Sequence, residues 1–235
     1  MTLTVSSSFD SGNILVKDSS DPGNVRLEIV KDHQSDFFQW FHFRVTGERG
    51  EKLRLVIENA GEAAYPRGWE NYNAVVSGDM MAWRRVPTSY DGQTLTIEAE
   101  LFVNSIYVAY FAPYSSERHQ MLITGAMPHE AVSVSVLGQT LDGRDLDLIQ
   151  IGEHAPEKRA IWVTARQHPG ETMAEWWMEG FLERMLDPIS AMSKDLLERA
   201  VFYVVPNMNP DGSARGQLRT NAAGVNLNRE WHEPS

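Results

Sequence analysis

Residues 160–174 constrain the fold more than any other segment, because they predict a buried strand, a tight turn and a helix in succession. Residues 161–165 form a short apolar run bounded by charge, which is typical of a buried strand. Pro169 suits a helix start, since its missing N–H would have no intrahelical partner there. A second apolar run, 201–205, follows predicted helices at about 171–186 and 189–198. Strand–helix–strand order predicts a parallel pair with a right-handed crossover, and therefore an α/β layer.

The turn between strand and helix carries a histidine and a glutamate. His168 follows the predicted strand and Glu171 lies in the predicted first helical turn, so both side chains can converge at the sheet edge where α/β folds bind ligands. An imidazole and a carboxylate are suitable ligands for Zn²⁺. His-x-x-Glu alone is a weak signal, because a strand-end histidine beside a carboxylate that favours the helix dipole gives the same pattern.

The first 112 residues predict a different architecture, an antiparallel β-sandwich. Short segments rich in β-branched and aromatic residues alternate with Gly and Asp turns, without long helices. The aromatic residues within 37–43 are interpreted as sandwich core and domain interface, with a ligand-binding face as the alternative. The predicted strands are 25–30, 37–45, 52–58, 72–77, 94–102 and 105–112.

The pattern changes near residue 113. A short helix at 117–122 is preceded by serines that can cap it. An Asp-Gly pair between the apolar segments 132–138 and 145–152 predicts a hairpin. We therefore divide the chain into an antiparallel β-sandwich domain, residues 1–112, and the N-terminal part of an α/β domain, residues 113–235.

Composition narrows the functional classes. Lys+Arg 21 against Asp+Glu 32 gives a formal net charge of −11, which disfavours a nucleic-acid binder that must neutralise phosphates. The absence of cysteine excludes disulfides and thiolate metal sites, and suits a reducing compartment. The first residues lack the features of a signal peptide, and no apolar run approaches the roughly 20 residues that span a bilayer. We expect a cytoplasmic protein with neither nucleic acid nor membrane as partner.

Three motifs downstream of the His-Pro-Gly-Glu turn resemble the M14 metallocarboxypeptidases in order and spacing. The preceding β-rich region and the form His-Pro-Gly-Glu resemble the cytosolic carboxypeptidase branch of that family. The downstream motifs are Pro206-Asn207-Met208-Asn209-Pro210-Asp211-Gly212, Arg219, and Gly224-Val225-Asn226-Leu227-Asn228-Arg229-Glu230-Trp231.

The resemblance implies a zinc-dependent hydrolase of C-terminal peptide bonds, with an α/β carboxypeptidase domain and the C-terminus of a peptide or protein as substrate. It implies that His168 and Glu171 bind Zn²⁺ and that Arg219 polarises the scissile carbonyl. It also implies that Asn228 and Arg229 bind the terminal carboxylate, for which the planar guanidinium fork of arginine is suited. The branch includes enzymes that remove glutamate, so glutamate is one expected leaving residue.

Two parts of the family's site have no match in this sequence. The third protein ligand of the zinc and the glutamate that acts as general base are both missing, and His232 would have to fold back over the substrate groove to replace the ligand. We therefore expect this chain to be the N-terminal part of a longer enzyme and to be inactive alone. Gly170 also stands where digestive members carry an arginine, which argues against digestive-type substrate contacts.

Two alternatives remain open on the sequence. A zinc amidohydrolase of the aspartoacylase type shares the His-x-x-Glu site and the Asn-Arg clamp, although the β-domain and the Asn-Pro-Asp-Gly segment argue against it. A non-catalytic β-sandwich binding module fused to a peptidase remnant is the second, and the presence of His168, Glu171, Arg219 and Arg229 argues against it.

Overall fold

The computed structural model describes residues 3–232, and its first half is a sandwich of two five-stranded sheets. The first sheet contains, in spatial order, β1 (Thr4–Ser6), β4 (His42–Thr46), β10 (Ser105–Ala109), β6 (Val75–Ser77) and β7 (Arg84–Arg85). The second contains β2 (Leu15–Asp18), β3 (Val25–Glu28), β5 (Lys52–Ile57), β9 (Leu95–Glu100) and β8 (Thr88–Tyr90).

The sandwich core follows the alternation of apolar residues along its strands. In β5 the side chains of Leu53, Leu55 and Ile57 are buried, whereas Lys52 and Arg54 are exposed, as expected for a strand with one face on the core. The expectation of a purely antiparallel sandwich is wrong at one pair, because β3 and β5 run parallel. The chain leaves the second sheet after β3, forms β4 in the first sheet and returns to the second sheet as β5. Strand β5 therefore runs in the same direction as β3, and not in the opposite direction that a direct hairpin would give.

The aromatic segment 37–43 forms core, as interpreted from the sequence, but only its end is a strand. Phe38, Phe41 and Phe43 are buried in the sandwich. The strand predicted for 37–45 begins at His42, because the preceding residues bond outside the ladder: the Trp40 indole N–H donates to Ser11 O at 2.8 Å. The apolar content of this segment therefore predicted correctly that it is buried, but wrongly that all of it pairs with neighbouring strands.

The second half is an α/β layer. Its sheet has the order β11 (Val132–Gln139), β12 (Asp145–Ile151), β14 (Ala200–Val205) and β13 (Arg159–Thr164). The predicted hairpin is the antiparallel pair β11–β12, and the predicted parallel pair is β13–β14. The helices are α1 (Ser116–Ala126), α2 (Met173–Met185), α3 (Ala191–Arg199) and α4 (Pro210–Ala214). The predicted fold class, a β-sandwich followed by an α/β domain, is confirmed.

One expectation about α2 is wrong. The helix begins at Met173, so Glu171 lies in the preceding turn, where its N–H donates to His168 O at 3.1 Å. Met178 and Leu182 lie on the buried face of the helix, and Trp177, beside that face, is 57 % exposed. None of the helices in residues 3–232 has the length and apolar character needed to cross a bilayer.

The two halves contact each other through backbone groups of the segment after α4. Asn13 Nδ2 donates to Gly216 O at 2.8 Å, and Ser11 N donates to Ala214 O at 2.9 Å. Gly216 has φ +68°, and a Cβ at this position would lie 2.6 Å from Gly12 O. Glycine at 216 therefore permits both the backbone conformation and the close approach of the sandwich.

Candidate active site

The turn that follows β13 brings His168 and Glu171 into contact. His168 Nδ1 lies 2.9 Å from Glu171 Oε1, and His168 Nε2 lies 3.2 Å from Asn226 Oδ1. His168 is 8 % exposed, whereas the side chain of Glu171 is 53 % exposed. The imidazole is therefore buried between two oxygen atoms, and the carboxylate is open to solvent.

The hydrogen bonds of Asn226 determine which nitrogen of His168 carries the proton. Asn226 Oδ1 also accepts from Asn228 N at 3.1 Å, so this atom is the carbonyl oxygen and not the amide nitrogen. The oxygen can only accept, so Nε2 is protonated and donates to it. With the proton on Nε2, the lone pair of Nδ1 faces the carboxylate of Glu171, and the two groups can share a metal ion; a proton on Nδ1 would make the same contact an ordinary ion pair.

This donor set fits a zinc ion. Zinc binds imidazole nitrogen and carboxylate oxygen, and a metal-bound histidine commonly donates its other ring N–H to an oxygen acceptor, as His168 does to Asn226. The described part of the chain, residues 3–232, contains no group of three or more His, Cys, Asp or Glu residues placed to hold a metal. Within that part the candidate site therefore has two protein ligands, and His232 does not complete it.

A buried arginine supports the turn from behind. Arg166 has φ +49°, and its guanidinium donates to Pro169 O at 2.9 Å and to Tyr114 O at 2.8 Å. The same guanidinium donates to Glu175 Oε2 at 2.6 Å, and both side chains are fully enclosed. The positive φ of a bulky residue is strained, and these three bonds hold it. Arg166 thus connects the His168 turn to helix α2.

The carboxylate of Glu175 is the centre of a larger buried network. Its Oε1 lies 2.8 Å from His119 Nδ1, and His119 Nε2 lies 3.1 Å from Asp147 Oδ2. Burial by itself lowers the pKa of His119, but the hydrogen bonds and charges of Glu175 and Asp147 outweigh it and raise the pKa above its ordinary value. Asn207 Nδ2 adds a bond to Glu175 at 3.2 Å. The network fixes α1, α2 and the sheet relative to the turn.

The Asn-Pro-Asp-Gly segment has a structural role here. Asn209 Nδ2 donates to Gln167 O at 3.3 Å and to Thr220 O at 3.2 Å, so it joins the His168 turn to the loop that carries Arg219. Asp211 accepts from Thr140 Oγ1 at 2.7 Å and from Arg144 at 3.0 Å in the β11–β12 loop. Through these bonds both residues hold neighbouring loops together.

Arg219 lies where the sandwich meets the α/β half. Its guanidinium carbon is 5.4 Å from the ring centroid of Phe37 and 5.9 Å from that of Tyr65. Its backbone N–H donates to Asp32 Oδ2 at 2.8 Å. Burial raises the pKa of Asp32, although the hydrogen bonds that this carboxylate accepts from residues 218–220 oppose the rise. Within residues 3–232, no carboxylate lies within ion-pairing distance of Arg219.

Asn228 and Arg229 are exposed and lie in the 3₁₀ turn Leu227–Arg229, which Asn226 caps. Arg229 Nη1 donates to Asn228 O at 2.9 Å. This turn is connected to His168 of the candidate site through Asn226, which contacts the imidazole directly. Among the described residues, the side chains of Arg219, Asn228 and Arg229 are not hydrogen bonded to His168 or Glu171. The structure therefore joins His168 to Glu171, and hydrogen bonds connect the segments that carry the other three predicted residues to the His168 turn.

Sequence reasoning assigned no role to Asn226, Asp32, Arg166 or Glu175. Asn226 has a local signal, because an asparagine before a 3₁₀ turn is a common cap. The other three have none: Asp32 contacts residues 186 to 188 positions away, and Glu175 contacts His119 at a separation of 56.

Gly170 has a steric reason to remain a glycine. Its N–H donates to Leu218 O at 2.9 Å, and a Cβ at this position would lie 3.0 Å from the same oxygen. Any side chain at 170 would press against the loop that carries Arg219. A side chain at this position would therefore need Leu218 to shift by a few tenths of an ångström.

Both halves of the chain match known families. The cytosolic carboxypeptidase N-terminal domain matches residues 5–111, and the zinc carboxypeptidase domain of peptidase family M14 matches residues 122–234. An uncharacterised protein of Zymomonas mobilis is 52 % identical over the whole of this chain and 61 % of its own length.

Solved structures agree with this assignment. A metallo-carboxypeptidase from Burkholderia cenocepacia is 47 % identical with a TM-score of 0.96, over 100 % of this chain and 63 % of its own. A metallo-carboxypeptidase from Pseudomonas aeruginosa, solved with (2-guanidinoethylmercapto)succinic acid, is 46 % identical with a TM-score of 0.94, over 99 % and 62 %. The chain thus spans about three fifths of the length of these three relatives. It belongs to the cytosolic carboxypeptidase branch of the M14 zinc carboxypeptidases.

Proposed function

We propose that the protein to which this chain belongs is a zinc carboxypeptidase that hydrolyses C-terminal peptide bonds, with His168 and Glu171 as two of its metal ligands. One observation carries the proposal. The contact of Nε2 with Asn226 Oδ1 assigns the proton of His168 to Nε2, so Nδ1 and the carboxylate of Glu171, 2.9 Å apart, are left as two donors that can share a cation. The family supports zinc as that cation.

Other parts of the chain hold the turn that carries the two ligand residues. Arg166 and Glu175 fix the turn from the buried side, and Asn226 keeps the imidazole in one tautomer. A bound zinc ion would supply Lewis-acid chemistry and lower the pKa of a water molecule. This chain's contribution to that chemistry is a neutral nitrogen and a charged oxygen in fixed positions.

Arg219 is proposed to stabilise the negative charge that develops on the scissile carbonyl oxygen. A guanidinium held against two aromatic rings, without a carboxylate partner in the described residues, keeps its charge available for substrate. Such preorganised donors are worth about 3 to 4 kcal/mol in a transition state. Because its charge partner appears only there, Arg219 acts on kcat.

Asn228 and Arg229 are proposed to bind the carboxylate of the substrate's last residue. Both are exposed on a short turn, so they can approach a peptide end without first breaking buried contacts. The Pseudomonas relative was solved with a compound that carries a succinic acid, which supports a carboxylate-binding site in this family. Removal of glutamate is the specific activity that we propose to test first, since the cytosolic branch includes such enzymes.

The remaining proposals follow from the family. A cytoplasmic location rests on the family's description as cytosolic carboxypeptidases. The division into residues 1–112 and 113–235 stays our proposal. The match of both halves to one peptidase family favours the peptidase over an aspartoacylase-type amidohydrolase.

Turnover by the full-length protein tests the proposal. Peptides ending in Glu, Leu or Lys should lose their last residue, and the same peptides with an amidated C-terminus should not. An N-acyl amino acid serves as the substrate of the rival hydrolase. Release from the amidated peptides, hydrolysis of the N-acyl amino acid alone, or no turnover with added zinc would each overturn the proposed function.

The isolated chain provides a second test. Residues 1–235 should bind zinc weakly and release no C-terminal residue, since the described residues supply only two ligands. Turnover by this chain that disappears in His232→Ala would show that the third ligand has been misplaced.

A further inference from the structure

The β-sandwich contacts the loop of Arg219 through one buried carboxylate. Asp32 Oδ1 accepts from Leu218 N at 2.6 Å, and Asp32 Oδ2 accepts from Arg219 N at 2.8 Å and from Thr220 N at 2.9 Å. Thr220 Oγ1 adds a further bond to Oδ2 at 3.1 Å. Asp32 is 4 % exposed, so these charge-assisted bonds form away from water.

The other side of the same loop is bonded to the His168 turn. Leu218 O accepts from Gly170 N at 2.9 Å. Asn209 Nδ2 bridges Thr220 O and Gln167 O at 3.2 and 3.3 Å. The backbone on both sides of Arg219 is therefore fixed between Asp32 and the turn that carries the metal ligands.

The side chain of Arg219 is also placed by the sandwich. Phe37 lies on the same turn as Asp32, whose N–H donates to Phe37 O at 2.8 Å. Phe37 and Tyr65 are the two aromatic rings beside the guanidinium. One turn of the sandwich thus positions both the backbone and the side chain of an arginine that belongs to the other half.

We propose that Asp32 is a positioning residue for Arg219, and that the β-sandwich takes part in catalysis by setting where this guanidinium lies relative to the metal ligands. The inference rests on the proposed function, because Arg219 acts in that reaction. An oxyanion-stabilising donor must be oriented before the reaction to be effective. A loop without regular secondary structure does not supply that orientation by itself, whereas three consecutive backbone N–H groups bound to one carboxylate do.

The test compares Asp32→Asn with Asp36→Asn in the full-length protein. Asparagine keeps the shape of the aspartate and one acceptor oxygen, but it removes the negative charge and places an NH₂ group where the other oxygen met a backbone N–H donor, so the anchor of the loop is weakened. Asp36 lies on the same turn and pairs with Lys31 at the surface, which makes it a matched control. We expect kcat to fall about tenfold or more in Asp32→Asn, with KM changed less than threefold and zinc content unchanged. Asp36→Asn should behave as wild type.

A double-mutant cycle separates positioning from general destabilisation. If Asp32 acts through Arg219, Asp32→Asn should cause no further loss of kcat in an Arg219→Ala background. An equal loss in both backgrounds, or an effect on KM alone, would overturn the proposal. Should Asp32→Asn fail to fold, Phe37→Leu enters the same cycle, because it removes the ring and keeps an apolar side chain.

Hydrogen exchange tests the positioning without turnover. The amides of residues 218–220 should exchange at least tenfold faster in Asp32→Asn than in wild type, while those of Asp36→Asn stay unchanged. Equal exchange in both variants would refute the role of Asp32 even in an active enzyme. If the amides exchange faster in Asp32→Asn than in wild type but the wild-type protein has no peptidase activity, the positioning is supported and the proposed function is refuted.

Discussion

Neutralising Glu175 should destabilise the α/β half more than any other single carboxyl-to-amide change that keeps side-chain size. Glu175 is completely buried and accepts hydrogen bonds from Arg166, His119 and Asn207. Glu175→Gln keeps the volume and so creates no cavity. It leaves the guanidinium of Arg166 buried beside a neutral amide, and His119 with Asp147 as its remaining carboxylate.

The expected cost follows from the burial of the pair. Removing one partner of a buried ion pair typically costs about 3 to 5 kcal/mol, because the other charge stays desolvated. For a protein of this size that corresponds to a decrease in Tm of roughly 6 to 20 °C. Glu179→Gln, one helical turn later, is the matched control. Its pair with Arg118 is partly exposed, so the loss should stay below about 1 kcal/mol.

Thermal unfolding of wild type and both variants measures the difference. The loss in Glu175→Gln should be larger at pH 6 than at pH 9. The raised pKa of His119 means that its attraction to Glu175 is present below the ordinary histidine pKa and is lost as pH rises through the folded value. Equal losses in Glu175→Gln and Glu179→Gln, or a loss that grows with pH, would refute this account of the network.

Three further outcomes are expected. Gly212→Ala should lower Tm, because its Cβ would lie 2.4 Å from Pro169 Cγ. Gly180→Ala has open space in α2, so its free energy of unfolding should rise by about 0.5 to 1 kcal/mol, and equal Tm changes in the two variants would contradict this. Burial lowers the pKa of His42 to about 3, so wild type should lose about 2 kcal/mol more than His42→Phe between pH 6.5 and 4.5 in denaturant titrations, and parallel pH curves would contradict it. Arg229→Ala should mainly raise KM and Arg219→Ala should mainly lower kcat in steady-state kinetics, and the reverse pattern would show that the two roles are exchanged.

The predictable parts of the fold are those determined by neighbouring residues. The strand–turn–helix order around His168 depends on local apolar runs and on a proline at the turn, so the sequence predicted it. The Asp-Gly pair of the β11–β12 loop predicted the hairpin for the same reason. Strand ends were predicted less well: Phe38, Trp40 and Phe41 are buried in the core without belonging to a strand.

The candidate site could be predicted only in part. His168 and Glu171 are three residues apart, and their contact follows from one turn. The groups that hold this turn come from distant positions: Asp32 anchors residue 218, and Glu175 contacts His119 on another helix. Such contacts depend on how the two halves pack together, which no local pattern in the sequence records.

The metal content of the full-length protein tests the central claim most directly. Wild type should contain one zinc ion per chain, measured by mass spectrometry of the purified protein. His168→Ala and Glu171→Ala should each lose most of it, and Asn226→Leu should weaken zinc binding about 10- to 100-fold, because it removes the acceptor that orients the imidazole. His129→Ala is the control: His129 is exposed and lies outside the His168 turn, so this variant should keep its zinc. Wild-type zinc content in His168→Ala would contradict the account.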